Sequence, residues 1–180
     1  MTQGLARLEM AVLEALQSLH GGALLDGFML FVSRLGNGGF LFIALALGLL
    51  CVRRTRCLGG ACATALALDV LTVNVLLKPL AARARPFAGG AFELLLPPPG
   101  DYSFPSGHTA AAFAFAFALA PAGKKWMGAA IAFACIMGFS RMYLTVHFPT
   151  DVLCGALVGA LCGRVSLFLW KKALGHDIMI

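Results

Sequence analysis

Residues 58–77 read LGGACATALALDVLTVNVLL, twenty residues whose one charged side chain is Asp69. At about 1.5 Å of rise per residue, a helix of that length covers the roughly 30 Å hydrocarbon core of a bilayer. Working outward, apolar runs of the same kind fall at Gly38–Val52, Gly107–Ala120, Trp126–Leu144 and Val152–Trp170. Gly38–Val52 and Gly107–Ala120 are short, so flanking residues must extend them or the bilayer must thin around them. Small residues recur within the runs, as in Gly59, Gly60 and Ala61 or Gly155, Gly159 and Gly163. They permit close backbone approach in lipid, where the hydrophobic effect cannot draw helices together.

Composition agrees with these runs. Of 180 residues, 60% are hydrophobic and 12% charged, against about 25% charged in a soluble domain. A soluble domain is excluded, and a mean hydropathy of +0.88 excludes disorder. The net charge of +6 does not imply nucleic acid, because the basic residues sit in short loops between apolar runs rather than on one water-exposed face. Cys51, Cys57, Cys62, Cys135, Cys154 and Cys162 have neither C-x-x-C nor zinc spacing and read as small buried apolar residues. No signal-peptide pattern opens the chain.

Before the first run, Leu5, Leu8, Val12, Leu16 and Leu19 recur at three- and four-residue steps, with Arg7, Glu9, Glu14 and Gln17 on the remaining surface. This predicts an amphipathic helix lying in the membrane interface. Leu24–Leu35 carries Asp26 and Arg34 and is too short to span; it reads as interfacial, or as a tilted lead-in to the first span. The expected fold is all-α: a polytopic integral-membrane helical bundle of five to six spans behind an N-terminal interfacial helix. It forms a single domain, with residues 1–35 as the N-terminal segment and 36–175 as the membrane-embedded core.

If the five runs alternate in direction, Arg53, Arg54, Arg56, Lys124, Lys125, Lys171 and Lys172 share one side, with Asp177 the one acid near them. The positive-inside rule makes that side cytoplasmic. Three polar segments then meet on the opposite side: Lys78 to Arg85-Pro86, Pro105-Ser106-Gly107-His108, and Ser140-Arg141 with His147 and Asp151. The long loop from Pro86 to Phe104, rich in Gly and Pro, lies there too.

Lys78, Arg85 and Arg141 are three cations facing one carboxylate, Asp151, within these segments, so the site wants an anion. Guanidinium forks and an ammonium match phosphate oxygens. The Ser106-Gly107-His108 turn opens a helix whose free N–H groups point at the same ligand, and Gly107 lets the backbone approach closely. His147 and Asp151 are four apart. If Phe148 caps the helix with Pro149 in its first position, Asp151 lies in the first turn and reaches back to the imidazole; if the helix starts earlier, the two share a face. Either way the carboxylate can fix the tautomer as a triad aspartate does. His147 is then a nucleophile candidate toward phosphorus and His108 a general acid for the departing oxygen. Metal-assisted hydrolysis would need several carboxylate or histidine ligands, which the three segments lack. No metal or cofactor is expected.

Lysine, six residues, Arg-Pro; then Pro-Ser-Gly-His; then Ser-Arg, five residues, His, three residues, Asp resembles the three-part signature of the type 2 phosphatidic acid phosphatase family. Every fixed position is present, and the resemblance covers roughly Leu58 to Trp170. It implies His147 as phosphohistidine nucleophile, Asp151 as its partner and His108 as acid. It further implies Lys78, Arg85, Ser106, Gly107 and Arg141 as phosphate holders and a bundle of about six membrane helices. The family also holds lipid pyrophosphatases and, by fold, vanadium haloperoxidases, which the apolar chain argues against.

Expected function is therefore hydrolysis of a terminal phosphate on a membrane lipid, at the extracytoplasmic face of the plasma membrane. Undecaprenyl diphosphate leads as substrate; phosphatidic acid and phosphatidylglycerophosphate follow, and a non-catalytic headgroup binder or transporter is the alternative class. The partners are the lipid substrate and the bilayer, with no nucleic acid; oligomeric state is left open. Asn74, one turn before Lys78, is a candidate to orient it, and Arg83 a candidate for a second phosphate or for lipid headgroups. Asp69 is expected to bond a neighbouring helix. Phe113, Phe115 and Phe117 are expected to face lipid, and His20 and His176 carry no assigned role.

Overall fold

A computed structural model describes residues 2–175, so His176 and Asp177 lie outside the described residues. Its elements are α1 (Thr2–Gln17), α2 (Ala23–Leu35), α3 (Phe40–Cys51) and α4 (Arg56–Asp69), the last running through a π-helical stretch (Val70–Leu77) into α5 (Lys78–Ala81). After a long loop come α6 (Gly107–Ala118), α7 (Lys124–Tyr143) and α8 (Pro149–Leu174). There is no strand among the described residues. The chain is an all-helical integral-membrane bundle.

Length and composition single out the helices that can span alone. Among the described residues, 3 helices are long and apolar enough to cross a membrane: the one that begins with α4 and continues through α5, α7, and α8. A fourth span exists if α2 and the helical stretch ending in α3, bent by 49°, count as one. Leu24–Leu35 is thus the first limb of a bent pair, a broken span or a re-entrant loop. At 12 residues α6 is too short, and its surroundings explain why this is tolerated. It packs against α4, α7 and α8, so protein rather than lipid covers most of it, and it need not match the hydrocarbon thickness.

Glycines fix the closest contact in the bundle. Gly155, Gly159 and Gly163 stand on one face of α8, four residues apart, against the α6 backbone. A Cβ on Gly155 would stand 2.6 Å from the Ser106 carbonyl oxygen, one on Gly163 2.6 Å from that of Ala114, and one on Gly159 would collide with that of Ala110. Backbone therefore lies on backbone over two turns. The contact carries through to the functional end, where the Ser106 N–H donates to the Asp151 carbonyl at 3.0 Å. At the far end Ser166 Oγ donates to the Ala61 carbonyl at 2.6 Å and Trp170 Nε1 to Thr64 Oγ1 at 3.0 Å. The basic residues of the α3–α4 and α6–α7 links and the end of α8 gather there.

Three expectations are corrected by packing. Phe115 does not face lipid: it is buried against Phe42, ring centroids 5.7 Å apart. Of the cysteines only Cys62 and Cys162 are buried, while Cys51 and Cys135 are exposed. On α1 the exposed residues include Leu5, Leu8 and Val12, whereas Glu9 and Leu13 turn inward. Glu9 is thus a carboxylate turned toward protein on a helix whose exposed face carries leucines.

Candidate active site

The site lies where the C-terminal ends of α5 and α7 meet the N-terminal ends of α6 and α8, roofed by the 82–106 loop and the bend between α2 and α3. Lys78 follows the π-helical stretch, a wide-turn insertion frequent at functional positions. Phe148 caps α8 with Pro149 at its start, and the Phe148 N–H donates to Asp151 Oδ2 at 2.8 Å. Asp151 therefore sits in the first turn, the first of the two helix starts that its spacing allowed.

His147, in the link between α7 and α8, is 1% exposed. Arg85 Nη1 stands 3.2 Å from His147 Nε2 and donates at 2.7 Å to the Val146 carbonyl. A guanidinium only donates, so the Nε2 it faces carries a lone pair and the proton of the neutral ring sits on Nδ1. Nδ1 has no hydrogen-bond partner but faces Asp151 Oδ2 at 3.7 Å, within a small closure of a hydrogen bond, as catalytic pairs often are before substrate arrives. Burial pushes the imidazole pKa down to about 4, with Arg141 and Arg85 helping and Asp151 opposing. The ring is neutral near pH 7, the form in which Nε2 is nucleophilic.

Asp151 is fully buried and accepts from three sides. Ser103 Oγ donates to Oδ2 at 2.5 Å alongside the Phe148 N–H, and Arg83 Nη1 donates to Oδ1 at 2.6 Å. Arg83 is engaged by protein on both of its terminal nitrogens. Its other nitrogen pairs with Glu9 Oε2 at 2.6 Å, and its guanidinium lies 4.0 Å from the Phe148 ring centroid. Glu9 also accepts from Thr150 Oγ1, so α1 is bolted to the start of α8.

Lys78 and Arg85 converge on Asp101 of the loop. Lys78 Nζ pairs with one carboxylate oxygen, Arg85 Nη2 with the other at 2.6 Å, and Arg85 Nε donates to the Asp101 carbonyl at 2.8 Å. Gly107 is tightly framed: a Cβ there would stand 3.4 Å from Asn74 Oδ1 and 3.8 Å from Lys78 Nζ. Asn74 thus crowds the helix start, while Lys78 takes its partner from Asp101. Arg141 is buried, donates to Ser33 Oγ of α2 and has an unpartnered Nε. His108 Nε2 lies 3.0 Å from Asn37 Oδ1 at the α2–α3 bend, so its immediate partner is Asn37 rather than His147. Ser106 Oγ bonds Thr109 Oγ1 at 2.9 Å. Asp69 is buried with Oδ1 unpartnered.

The sequence profile of the PAP2 superfamily matches residues 58–174, all of the three motif segments. The chain belongs to the PAP2 superfamily. It is 35% identical over 147 residues to an undecaprenyl-diphosphatase of Sulfolobus acidocaldarius, covering 81% of this chain and 70% of that protein. Undecaprenyl-diphosphatase BcrC of Bacillus subtilis is 29% identical over 165 residues, covering 89% and 84%. Among solved structures, a transmembrane PAP2-type phosphatidylglycerolphosphate phosphatase from Bacillus subtilis superposes with a TM-score of 0.79 at 27% identity, covering 94% of this chain and 87% of that one.

The PAP2 motifs account for the cations and both histidines. Residues outside them complete the site: Glu9, Ser33, Asn37, Asp101 and Ser103. Only Asp101 and Ser103 carried a sequence signal, their place in the long loop just before the Pro-Ser-Gly-His segment.

Proposed function

We propose that this PAP2 protein hydrolyses the terminal phosphate of a membrane lipid through a phosphohistidine, without metal. The observation that carries the reading is the orientation of His147: Nε2 faces Arg85 and Nδ1 faces Asp151. His147 Nε2 attacks phosphorus while the bond from phosphorus to the lipid oxygen breaks, and His108, which takes a proton when the phosphate anion binds beside it, gives that proton to the departing oxygen. Water then attacks the phosphohistidine with His108 as base, releasing inorganic phosphate and the free imidazole. Asp151 holds the Nδ1 proton and stabilises the positive ring throughout. Lys78, Arg85 and Arg141, with the N–H groups at Gly107 and His108, take up the charge on the phosphoryl oxygens. The unpartnered Arg141 Nε favours an anion at this place.

Ligand supply supports the metal-free route: among the described residues, no three His, Cys, Asp or Glu side chains converge to hold an ion. A lipid substrate fits an apolar groove of about 740 Å³ lined by Leu41, Leu45, Ala112, Phe115 and Phe133, which starts one helical turn from His108. Undecaprenyl diphosphate is the lead substrate because the named diphosphatases align over most of the chain. The phosphatidylglycerolphosphate phosphatase, similar in fold, keeps the lipid monoesters as the second choice. The charge asymmetry supports a site at the extracytoplasmic face of the plasma membrane.

The test is phosphate release by detergent-purified protein in excess chelator, across a panel of undecaprenyl diphosphate, phosphatidic acid and phosphatidylglycerophosphate, with His147→Ala as control. Turnover of the parent alone supports the reading. Loss of turnover in chelator, or equal turnover by the control, contradicts it.

A further inference from the structure

Asp101 belongs to none of the PAP2 motifs, yet its carboxylate occupies the centre of their cation cluster. One oxygen is paired with Lys78 Nζ and the other with Arg85 Nη2 at 2.6 Å, while Nη1 of the same arginine reaches His147 Nε2 at 3.2 Å. A carboxylate that bridges the two cations beside the nucleophile stands where phosphate oxygens would bind. Partial burial pushes the Asp101 carboxyl up, but hydrogen bonds and charges from Lys78 and Arg85 outweigh it and hold its pKa at about 2. The group is therefore an anion near neutral pH. It is also replaceable: its side chain is 52% exposed and is carried on a loop. Its carbonyl keeps a separate bond to Arg85 Nε, so the carboxylate can swing out while the backbone stays anchored.

We propose that Asp101 is a specificity-determining residue, a built-in anion that fills the Lys78–Arg85 seat and yields only to a phosphate group carrying more charge than one carboxylate. The inference rests on the phosphatase reading above. A phosphodiester headgroup brings one negative charge and gains nothing over the resident carboxylate. A terminal phosphate brings a second charge and a third free oxygen, and both cations favour the exchange. Diesters form the bulk of the surrounding bilayer, so an empty seat would be occupied by them most of the time. Discrimination comes from an element that opposes the wrong ligand, the usual route when attraction alone cannot choose.

The probe is inorganic phosphate, titrated calorimetrically into detergent-purified parent, Asp101→Asn and Asp101→Ala. Both variants should bind it at least about tenfold more tightly than the parent, equivalent to about 1.4 kcal/mol. Phosphatidylglycerol added to the micelles should inhibit hydrolysis by the variants and leave the parent unaffected. Equal or weaker phosphate binding in both variants overturns the proposal and makes Asp101 a brace for Arg85. Inhibition of parent and variants alike overturns the charge threshold. Phosphate binding by neither parent nor variants overturns the phosphate seat itself, a failure of the underlying reading rather than of the gate.

Discussion

Arg83→Gln removes the guanidinium that ties two buried carboxylates together, Glu9 at 2.6 Å and Asp151 at 2.6 Å. The side chains of Glu9 and Asp151 are 5% and 0% exposed and that of Arg83 is 30% exposed. Stripping the partner from a buried carboxylate costs about 3–5 kcal/mol, and water reaching the partly exposed site brings the expected loss to about 2–3 kcal/mol. For a chain of this size that lowers the unfolding midpoint by roughly 4–12 °C. Most of the cost is the stranded charge on Glu9, so Glu9→Gln should repair it. The double variant Glu9→Gln/Arg83→Gln is expected to melt above Arg83→Gln alone, with a coupling of about 1–2 kcal/mol. Asp151 keeps Ser103 and the Phe148 N–H on the oxygen that faces His147, so kcat should fall only about tenfold in either background. The assay is thermal unfolding of the four proteins in one detergent, paired with lipid phosphate hydrolysis. A double variant that melts at or below Arg83→Gln would refute the reasoning.

Ser103→Ala removes the 2.5 Å bond to Asp151 Oδ2 and should lower kcat about tenfold with KM little changed, since the loss of a hydrogen bond to a charged group is worth about 1.5–3 kcal/mol; a pure KM effect would contradict this placement. Gly159→Ala drives a methyl into the Ala110 carbonyl and should destabilise by about 1–3 kcal/mol, visible as a lower melting temperature, whereas Gly48→Ala, which meets nothing within 4 Å, should melt like the parent. Because the folded pKa of His147 lies near 4, below its ordinary 6.5, the acid limb of kcat/KM should fall near pH 4 rather than 6.5. By linkage, the group's contribution to stability is complete above about 6.5 and lost as pH falls through about 4; a limb centred at 6.5 would show that the imidazole is not desolvated as described.

Much of the site was legible in the sequence because polar side chains inside an apolar chain are costly and few, so Lys78, Arg85, His108, Arg141, His147 and Asp151 stood out. Chain order also fixed local geometry, as in the Phe148 cap and the first-turn Asp151. What escaped were contacts closed by long loops. Glu9 meets Arg83 at a separation of 74 residues, Asn37 meets His108 at 71 and Ser33 meets Arg141 at 108, and no periodicity encodes such partners. Glu9 was misread for a further reason: the polar face of an amphipathic helix points to solvent only where the outside is water. The shortness of α6 has a reason that hydropathy does not encode, because this helix is sheathed by its neighbours rather than by lipid. The Arg83 alternatives could not be ranked without knowing that α1 folds back over the site.

The central claim is that His147 Nε2 becomes covalently attached to phosphorus. Rapid quench of the parent with substrate radiolabelled in its terminal phosphate should trap label on the protein in an acid-labile, base-stable linkage. That label should map to the peptide containing His147 and be absent from His147→Ala. A fully active parent that traps no label under conditions where hydrolysis of the intermediate is slowed, or label on any other residue, would contradict the account.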